Sequence, residues 1–173
     1  MKKEIIFSGI GGQGIMLIGN ILCRVAAEKN FKVTFAPTYG QEKRGGRTSC
    51  QIVISDSMES PIISEADVVL IMDEKSLVDF EGFVKKGAYL IVNSSMIEKE
   101  VERDDINVLR IPINDIADKL NNSRSANIVA LGAALKLIDF VSFEEVNNYL
   151  GNIFKGSVKE SNEKALKAGY DFV

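Results

Sequence analysis

The sequence of 173 residues predicts an α/β domain with a mostly parallel sheet and a helical C-terminal third. A β-branched run at residues 4–8 ends in a glycine turn, and residues with helical spacing follow. Continuous apolar runs at 68–72 and 88–92 are typical of strands buried on both faces of a parallel sheet. Helical patterns dominate beyond Pro112, and no repeat or linker divides the chain. We therefore predict that residues 1–173 form a single domain.

The first half of the chain predicts alternating strands and helices. The strand at 4–8 precedes a helix over about residues 14–29, which Asn30 ends as a C-cap. A second strand at 32–35 is predicted to stop before Pro37, and a third covers 48–55. Residues 68–72 form the next strand, followed by a short helix around 74–80.

The second half begins with two strands and ends in helices. The strands are predicted at 88–92 and 108–111, and a short helix at 114–120. Ser123 or Ser125 is expected to cap an apolar helix at 127–138. Ser142 and Glu145 have the spacing of a capping box, and an amphipathic helix is predicted at 159–167, extending toward Tyr170.

The composition excludes several kinds of chemistry. The net charge of −3 argues against general nucleic-acid binding, because no long-range positive field attracts the phosphates. The chain has no histidine, which removes Ser-His-Asp and Cys-His catalysis and the commonest zinc ligand. Cys23 and Cys50 are read as buried small hydrophobes in a reducing compartment. We expect no secretory leader, no membrane span and a cytoplasmic location.

The first glycine-rich stretch has the spacing G-x-G-x-x-G at Gly9, Gly11 and Gly14. Glycine there permits a tight turn, close approach of a ligand to the backbone, and close helix–strand packing. Amide groups at the start of the following helix then form an anion site, which the helix dipole strengthens. The pattern indicates a Rossmann-like three-layer domain.

The motif alone does not identify a dinucleotide enzyme. A dinucleotide site requires an acid at the end of the second strand, about 20 residues after the glycines, to bind the ribose. Ala36, Pro37 and Thr38 stand at that place, while Glu28 lies in the helix and Glu42 in the next loop. A phosphate-binding loop of the G-K-[ST] type is absent after these glycines.

A second glycine-rich stretch follows at residues 38–47. Arginines next to glycines let guanidinium groups and backbone amides converge on one phosphate or carboxylate. The alternative is a solvated turn with a surface pair between Glu42 and Arg44 or Arg47. Tyr39 and the glycines at 40, 45 and 46 are more than such a turn needs, so we favour anion binding.

These two stretches resemble the gamma subunit of the 2-oxoacid:ferredoxin oxidoreductases. The similarity covers nearly the whole chain. It rests on Gly9-Ile10-Gly11-Gly12-Gln13-Gly14, on Tyr39-Gly40-Gln41-Glu42-Lys43-Arg44-Gly45-Gly46, on Ser60-Pro61 before the apolar strand, and on Asn127 with Leu131-Gly132-Ala133.

The resemblance implies a complex that oxidatively decarboxylates a 2-oxoacid on thiamine diphosphate, passes electrons through iron–sulfur clusters to ferredoxin, and transfers the acyl group to coenzyme A. Two isolated cysteines cannot hold a four-cysteine cluster, and the chain lacks a diphosphate–magnesium signature. Thiamine diphosphate, magnesium and the clusters are therefore expected on partner chains, namely alpha, beta and delta (ferredoxin-type) subunits. We predict that the isolated chain is inactive.

The resemblance also implies that this chain contributes to the coenzyme A site. The predicted contacts are Gly9, Gly11, Gly12, Gln13, Gly14, Tyr39, Gly40, Glu42, Arg44, Gly45, Gly46 and Arg47. Glu42 is expected to position one arginine, and Arg44 and Arg47 to bind phosphate. Asn127, Leu131 and Gly132 are predicted to lie at a subunit interface. No residue is assigned as a nucleophile or general base.

Two other functions stay open. The chain is either a purely structural subunit whose loops bind a partner chain, or a stand-alone Rossmann-like nucleotide-binding protein. The 2-oxoacid is also open, because pyruvate, 2-oxoglutarate, branched-chain oxoacids and indolepyruvate all have enzymes of this construction. The tyrosine of Tyr39-Gly40 slightly favours 2-oxoglutarate as the predicted substrate.

Overall fold

The structure, a computed structural model, describes residues 1–42 and 45–173. Its strands are β1 (Lys2–Ile10), β2 (Lys32–Tyr39), β3 (Arg47–Ser55), β4 (Ala66–Ile71), β5 (Val84–Asn93) and β6 (Asn107–Ile111). Its helices are α1 (Ile15–Glu28), α2 (Glu74–Phe80), α3 (Ile113–Lys119), α4 (Ala126–Leu135), α5 (Phe143–Ile153) and α6 (Gly156–Phe172), with short 3₁₀ turns at Glu81–Phe83 and Ser123–Ser125.

The described strands form one sheet in the order β2-β3-β1-β4-β5-β6. β1, β4, β5 and β6 are parallel neighbours, while β3 is antiparallel to both β1 and β2. The mostly parallel sheet predicted from the apolar runs is confirmed. The position of β3 is new, because it separates β1 from β2 and leaves β2 at the edge.

The sheet is covered on both faces, and this confirms the three-layer α/β class. One face carries the larger core, in which Phe7, Leu70 and Ile52 pack under α1 and the C-terminal helices. The other face is covered by α2, the first 3₁₀ turn and neighbouring loop residues such as Ile63 and Ile97. Helices α3 to α6 make up the helical C-terminal third that the sequence predicts.

Helices α4 and α6 pack with their backbones in close contact. A Cβ atom on Gly132 would meet the Leu166 carbonyl of α6, and one on Gly169 would meet the Val129 carbonyl of α4. Leu131 has no exposed surface, and every residue of α4 is buried. Leu131 and Gly132 therefore pack within the core of this chain, and their predicted place at a subunit interface, with Asn127, stays a prediction.

Two local predictions were also wrong. Pro37 does not end the second strand but pairs with Cys50, which is possible because β2 is an edge strand and one side of it needs no donor. Neither Ser123 nor Ser125 caps α4: the Ser123 hydroxyl donates to Asp118 Oδ1 and the Ser125 hydroxyl to the Asn122 carbonyl.

Two other local predictions are confirmed. Ser142 and Glu145 form the capping box at the start of α5, with both reciprocal hydrogen bonds present. Asn30 follows α1 with a left-handed φ of 66°, as expected for a residue that ends a helix.

Candidate functional site

The two glycine-rich stretches meet at one edge of the sheet. β2 runs parallel to β1 across β3, so the carboxyl ends of β1 and β2 lie at the same edge. Thr48 pairs with Gly9 on one side and with Tyr39 on the other. Two backbone hydrogen bonds join the segments: Gly11 N donates to Gly46 O at 2.8 Å, and Gly40 N donates to Arg47 O at 2.6 Å.

A cavity of about 430 Å³ opens between these segments. Its lining residues are Gly11, Gly12, Tyr39, Gly40, Glu42, Gly45, Gly46, Arg47 and Thr48. All but Thr48 belong to the residues that the sequence predicts as coenzyme A contacts. The Tyr39 ring is 67% exposed and forms the aromatic part of the wall.

The wall of this cavity is largely backbone. Gly12 has a φ of 95°, which L-residues with side chains rarely adopt, and no atom lies within 4 Å of its would-be Cβ. A Cβ on Gly11 would stand 3.7 Å from Gly46 O, an ordinary van der Waals distance. Gly11 is thus not required by the fold, and its missing side chain leaves room on the cavity wall.

Gly9, Gln13 and Gly14 lie outside this cavity and shape the turn. A Cβ on Gly9 would overlap the Gln13 side chain, and one on Gly14 would overlap the Asn127 amide. Gln13 Oε1 accepts a hydrogen bond from Ile10 N at 2.8 Å. The Gln13 side chain therefore fixes the turn, and one N–H of its amide already points to the Met72 carbonyl.

Arg47 is paired with an acid that the sequence analysis missed. Arg47 Nη1 lies 2.6 Å from Asp79 Oδ2 on α2. Asp79 is far from Arg47 in sequence, so no local pattern indicates this pair. Glu42 lines the cavity, whereas the ion-pair partner of Arg47 is Asp79. The expectation that Glu42 positions one arginine therefore stays a prediction. Lys43 and Arg44 lie outside the described residues, and so does the predicted phosphate contact from Arg44.

A second cavity, of about 140 Å³, lies on the other side of Gly12. Gly12 and Gln13 contribute to it from the glycine turn, and Asn127 contributes from the first turn of α4. Asn114, Ser123 and Arg124 complete its polar lining, and none of these three was predicted as a site residue. Gly12 thus lines two cavities.

The topology gives no support to the dinucleotide alternative. In a dinucleotide-binding fold, the second strand pairs directly with the first and ends in the acid that binds the ribose. Here β3 lies between β1 and β2, and β2 ends at Tyr39. The adenosine ribose would have no acid at the expected place.

The two cysteines lie in the larger core. Cys50 is fully buried and Cys23 packs against the same cluster. Burial raises the pKa of each thiol to about 12, because the charged thiolate is poorly solvated there. Within residues 1–42 and 45–173, no helix has the length and apolarity to cross a membrane.

Comparison with known proteins decides the family. Residues 4–172 match the profile described as "Pyruvate ferredoxin/flavodoxin oxidoreductase". The chain belongs to this family. The 2-oxoglutarate synthase subunit KorC of Methanocaldococcus jannaschii is 31% identical over 175 residues, covering 99% of this chain and 94% of that protein. The common gamma subunit of the pyruvate/ketoisovalerate oxidoreductases of Thermococcus kodakarensis is 30% identical, covering 97% and 95%.

Solved structures agree with the family assignment. The gamma subunit of a keto/oxoacid ferredoxin oxidoreductase from Geobacter sulfurreducens has a TM-score of 0.87 and 27% identity, over 99% of this chain and 95% of that one. The 2-oxoglutarate:ferredoxin oxidoreductase of Magnetococcus marinus, solved with 2-oxoglutarate, coenzyme A and succinyl-CoA, shares the fold with a TM-score of 0.88 at 22% identity. The structural match covers 99% of this chain but only 31% of that larger chain. The resemblance to the gamma subunits predicted from the glycine-rich stretches is confirmed.

Proposed function

We propose that this gamma subunit binds coenzyme A in the cavity between its two glycine-rich segments. The observation that carries the proposal is the convergence of Gly11, Gly12, Tyr39 and Arg47 on one cavity of about 430 Å³. The volume falls in the range of small-molecule sites, and the lining combines bare backbone, an aromatic ring, the cation of Arg47 and the carboxylate of Glu42. These groups suit a ligand that has a flat base and several phosphates.

The residues present fit such a ligand. The backbone of Gly11 and Gly12 is open to close approach, because neither carries a Cβ that would keep a phosphate away. The exposed Tyr39 ring offers a face on which an adenine can stack. Arg47 offers a charge-assisted hydrogen bond, although Asp79 shares its charge.

Coenzyme A supplies the thiol that accepts the acyl group. By holding the phosphates, this chain fixes the direction from which the thiol arm approaches, and such positioning is a large term in catalysis. The chain contributes no nucleophile and no general base to this scheme.

We further propose that the complex acts on 2-oxoglutarate. It would contain alpha, beta and delta subunits and would lie in the cytoplasm. Similarity to a 2-oxoglutarate synthase subunit supports 2-oxoglutarate as the substrate. Similarity to a subunit of pyruvate/ketoisovalerate oxidoreductases supports these other 2-oxoacids as well. Thiamine diphosphate, magnesium and iron–sulfur clusters would lie on the partners, since Cys23 and Cys50 are the only thiols of this chain. The isolated chain should then reduce no dye with any 2-oxoacid, and such activity would contradict the subunit assignment.

The test is Gly11→Ala in the assembled complex. Alanine has room at position 11, so the fold should hold while the methyl group narrows the cavity wall. We expect the KM for coenzyme A to rise about tenfold, with the KM for the 2-oxoacid unchanged. Gly151→Ala on α5 is the matched control, because its new methyl group would meet only the flexible end of Lys159 at 3.1 Å.

The same experiment tests the structural alternative. If the glycine-rich segments bind a partner chain instead, Gly11→Ala should weaken assembly and impair all substrates alike. An unchanged KM for coenzyme A in an intact complex would overturn the proposal. Comparing kcat/KM for 2-oxoglutarate, pyruvate, 2-oxoisovalerate and indolepyruvate tests the substrate separately.

A further inference from the structure

The smaller cavity is lined by side chains from four separate parts of the chain. Gln13 comes from the glycine turn, Asn114 from the start of α3, Arg124 from the 3₁₀ turn before α4, and Asn127 from α4 itself. Arg124 is exposed and has no ion-pair or hydrogen-bond partner in the described part of the chain. Asn127 is only 7% exposed. The smaller cavity has a volume of about 140 Å³, which is suited to one small group rather than a whole nucleotide.

The oxygen atoms of the three amide side chains are already occupied. Gln13 Oε1 accepts from Ile10 N at 2.8 Å. Asn127 Oδ1 accepts from Ile128 N at 3.0 Å. Asn127 Nδ2 donates one hydrogen to the Gly14 carbonyl at 3.4 Å, and Gln13 Nε2 donates one to the Met72 carbonyl at 3.4 Å. Because each amide oxygen is held by a donor of the protein, the second N–H of each amide is the group that remains for a ligand.

Asn114 is oriented in the same way by a buried neighbour. Asn93 has no exposed surface, and its Nδ2 donates to Asn114 Oδ1 at 2.7 Å. Asn93 Oδ1 in turn accepts from Ile113 N at 3.2 Å, which fixes the direction of the Asn93 amide. Asn114 Nδ2 has no acceptor in the described part of the chain, so both of its hydrogens are available.

The main-chain acceptor in the lining is occupied as well. The Met72 carbonyl accepts from Asn93 Nδ2 at 3.3 Å and from Gln13 Nε2 at 3.4 Å. A carbonyl oxygen has two lone pairs, and both are directed to these donors. Asp118 accepts from the Ser123 hydroxyl at 2.6 Å and does not line the cavity.

The cavity thus offers hydrogen-bond donors and a guanidinium, and no lining side chain carries a negative charge. Two helices also begin here, α1 after Gly14 and α4 at Ala126, and their dipoles favour an anion. A cation or a neutral acceptor-free group would find no matching partners.

We propose that this cavity is a subsite for one small oxyanion, either a phosphate or a carboxylate group. Gly12 lines both cavities, so a ligand in the larger one can extend into the smaller one. The phosphate would come from coenzyme A and the carboxylate from the 2-oxoacid. The source of the anion rests on the function proposed above, whereas binding of an oxyanion to the chain does not.

Direct binding is tested on the full chain with inorganic phosphate and with acetate at constant ionic strength. Nuclear magnetic resonance follows the side-chain amide signals of Gln13, Asn114 and Asn127. We expect saturable shifts of these signals, with Arg124→Gln weakening the binding about tenfold. Arg24→Gln is the matched control, since Arg24 is an exposed arginine on α1 about ten residues beyond its start. Absence of saturable shifts, or equal binding by both variants, would overturn the proposal.

The assembled complex identifies the source of the anion. If Arg124→Gln raises the KM for coenzyme A more than that for 3′-dephospho-coenzyme A, the subsite binds the 3′-phosphate. If it raises both alike, the subsite binds the diphosphate. If it raises only the KM for the 2-oxoacid, the subsite binds the carboxylate. No change in any of these constants in an intact complex would overturn a role for the subsite in the reaction.

Failure of this inference can be told from failure of the proposed function. If Gly11→Ala leaves the KM for coenzyme A unchanged while phosphate still shifts the three amide signals, only the coenzyme assignment fails. If Gly11→Ala acts as expected while Arg124→Gln changes neither phosphate binding nor kinetics, only the subsite fails.

Discussion

Arg47 at the first position of β3 forms an ion pair with Asp79 of α2, with Nη1 and Oδ2 at 2.6 Å. The arginine side chain is 55% exposed and the aspartate side chain 27% exposed. The pair links the start of β3, which lines the larger cavity, to α2, which lies about 30 residues further along the chain. It also draws part of the positive charge of Arg47 away from any anion in that cavity.

We predict that replacing the two partners of this ion pair has opposite effects on the KM for coenzyme A. Asp79→Asn should release the guanidinium and lower the KM for coenzyme A, by about two- to fivefold, since an exposed pair contributes about 0.2–1 kcal/mol. Arg47→Gln should raise the same KM, and the double variant should behave like Arg47→Gln alone. Both effects should diminish as salt increases, because the charges are exposed. Steady-state kinetics of the assembled complex measure them; an Asp79→Asn effect that persists without Arg47 would contradict the pairing.

The contact between α4 and α6 predicts which glycines the fold requires. Gly132→Ala and Gly169→Ala should each destabilise the chain by about 1–3 kcal/mol, because a methyl group at either place would press on a carbonyl of the facing helix. Gly151→Ala, within α5, should be neutral or stabilising, since alanine is the better helix former. Denaturant unfolding of the three variants measures the free energy of unfolding. Equal effects at all three positions would contradict the close packing of the two helices.

The capping box of α5 predicts a dependence of stability on pH. The hydrogen bond from Ser142 N, aided by Lys29, lowers the pKa of Glu145 below its ordinary value of 4.5. The ionised form is therefore favoured by folding, so its contribution is present above about pH 4.5 and is lost as the pH falls through the lowered pKa. Glu145→Gln should cost about 0.5–1 kcal/mol at pH 7 and less at pH 3.

The control for this pH prediction is Glu144→Gln. Glu144 lies in the same first turn of α5 but is exposed, and it takes no part in the capping box. Its replacement should change the free energy of unfolding little at either pH. A cost for Glu145→Gln that does not vary between pH 7 and pH 3 would exclude the ionised carboxylate as its source.

The buried thiols predict slow chemical modification. With the pKa of Cys23 and of Cys50 raised to about 12, almost no thiolate exists at neutral pH in the folded chain. A disulfide reagent should label neither thiol until denaturant is added, and should then label both. Stability should also fall as the pH rises above 9, because only the unfolded thiols ionise there. Rapid labelling of the native chain would contradict the burial.

The sequence was sufficient to predict most elements and the glycine turn between β1 and α1, for reasons that are local. Gly9, Gly11 and Gly14 mark a strand-to-helix turn because their spacing reflects short-range backbone geometry. The same spacing does not tell which neighbour requires each glycine: Gly14 is required by Asn127, which is distant in sequence. Gly11 belongs to the same motif but faces the cavity instead.

What the sequence could not provide is the set of long-range pairings. The strand pattern of β3 does not distinguish a place at the edge from one beside β1, because alternation gives the two faces of a strand and not its neighbours. The pairing of Arg47 with Asp79 and the placement of Arg124 beside Gly12 follow from the tertiary arrangement alone. The packing of α4 on α6 is long-range in the same way, because the apolar pattern of α4 does not tell which element covers it.

The β2–β3 hairpin at the sheet edge has a consequence for how this protein can diverge. Residues between Tyr39 and Arg47 can be inserted or deleted without altering the register of β1, β4, β5 and β6, because those four strands pair on the far side of β3. Lengthening the connection between β2 and β3 costs little, since the entropy of closing a loop grows only slowly with its length. One wall of the larger cavity can therefore change in size and charge between chains while the opposite wall, built on the glycine turn, stays constant. New ligand preferences can arise in this scaffold through the hairpin tip alone.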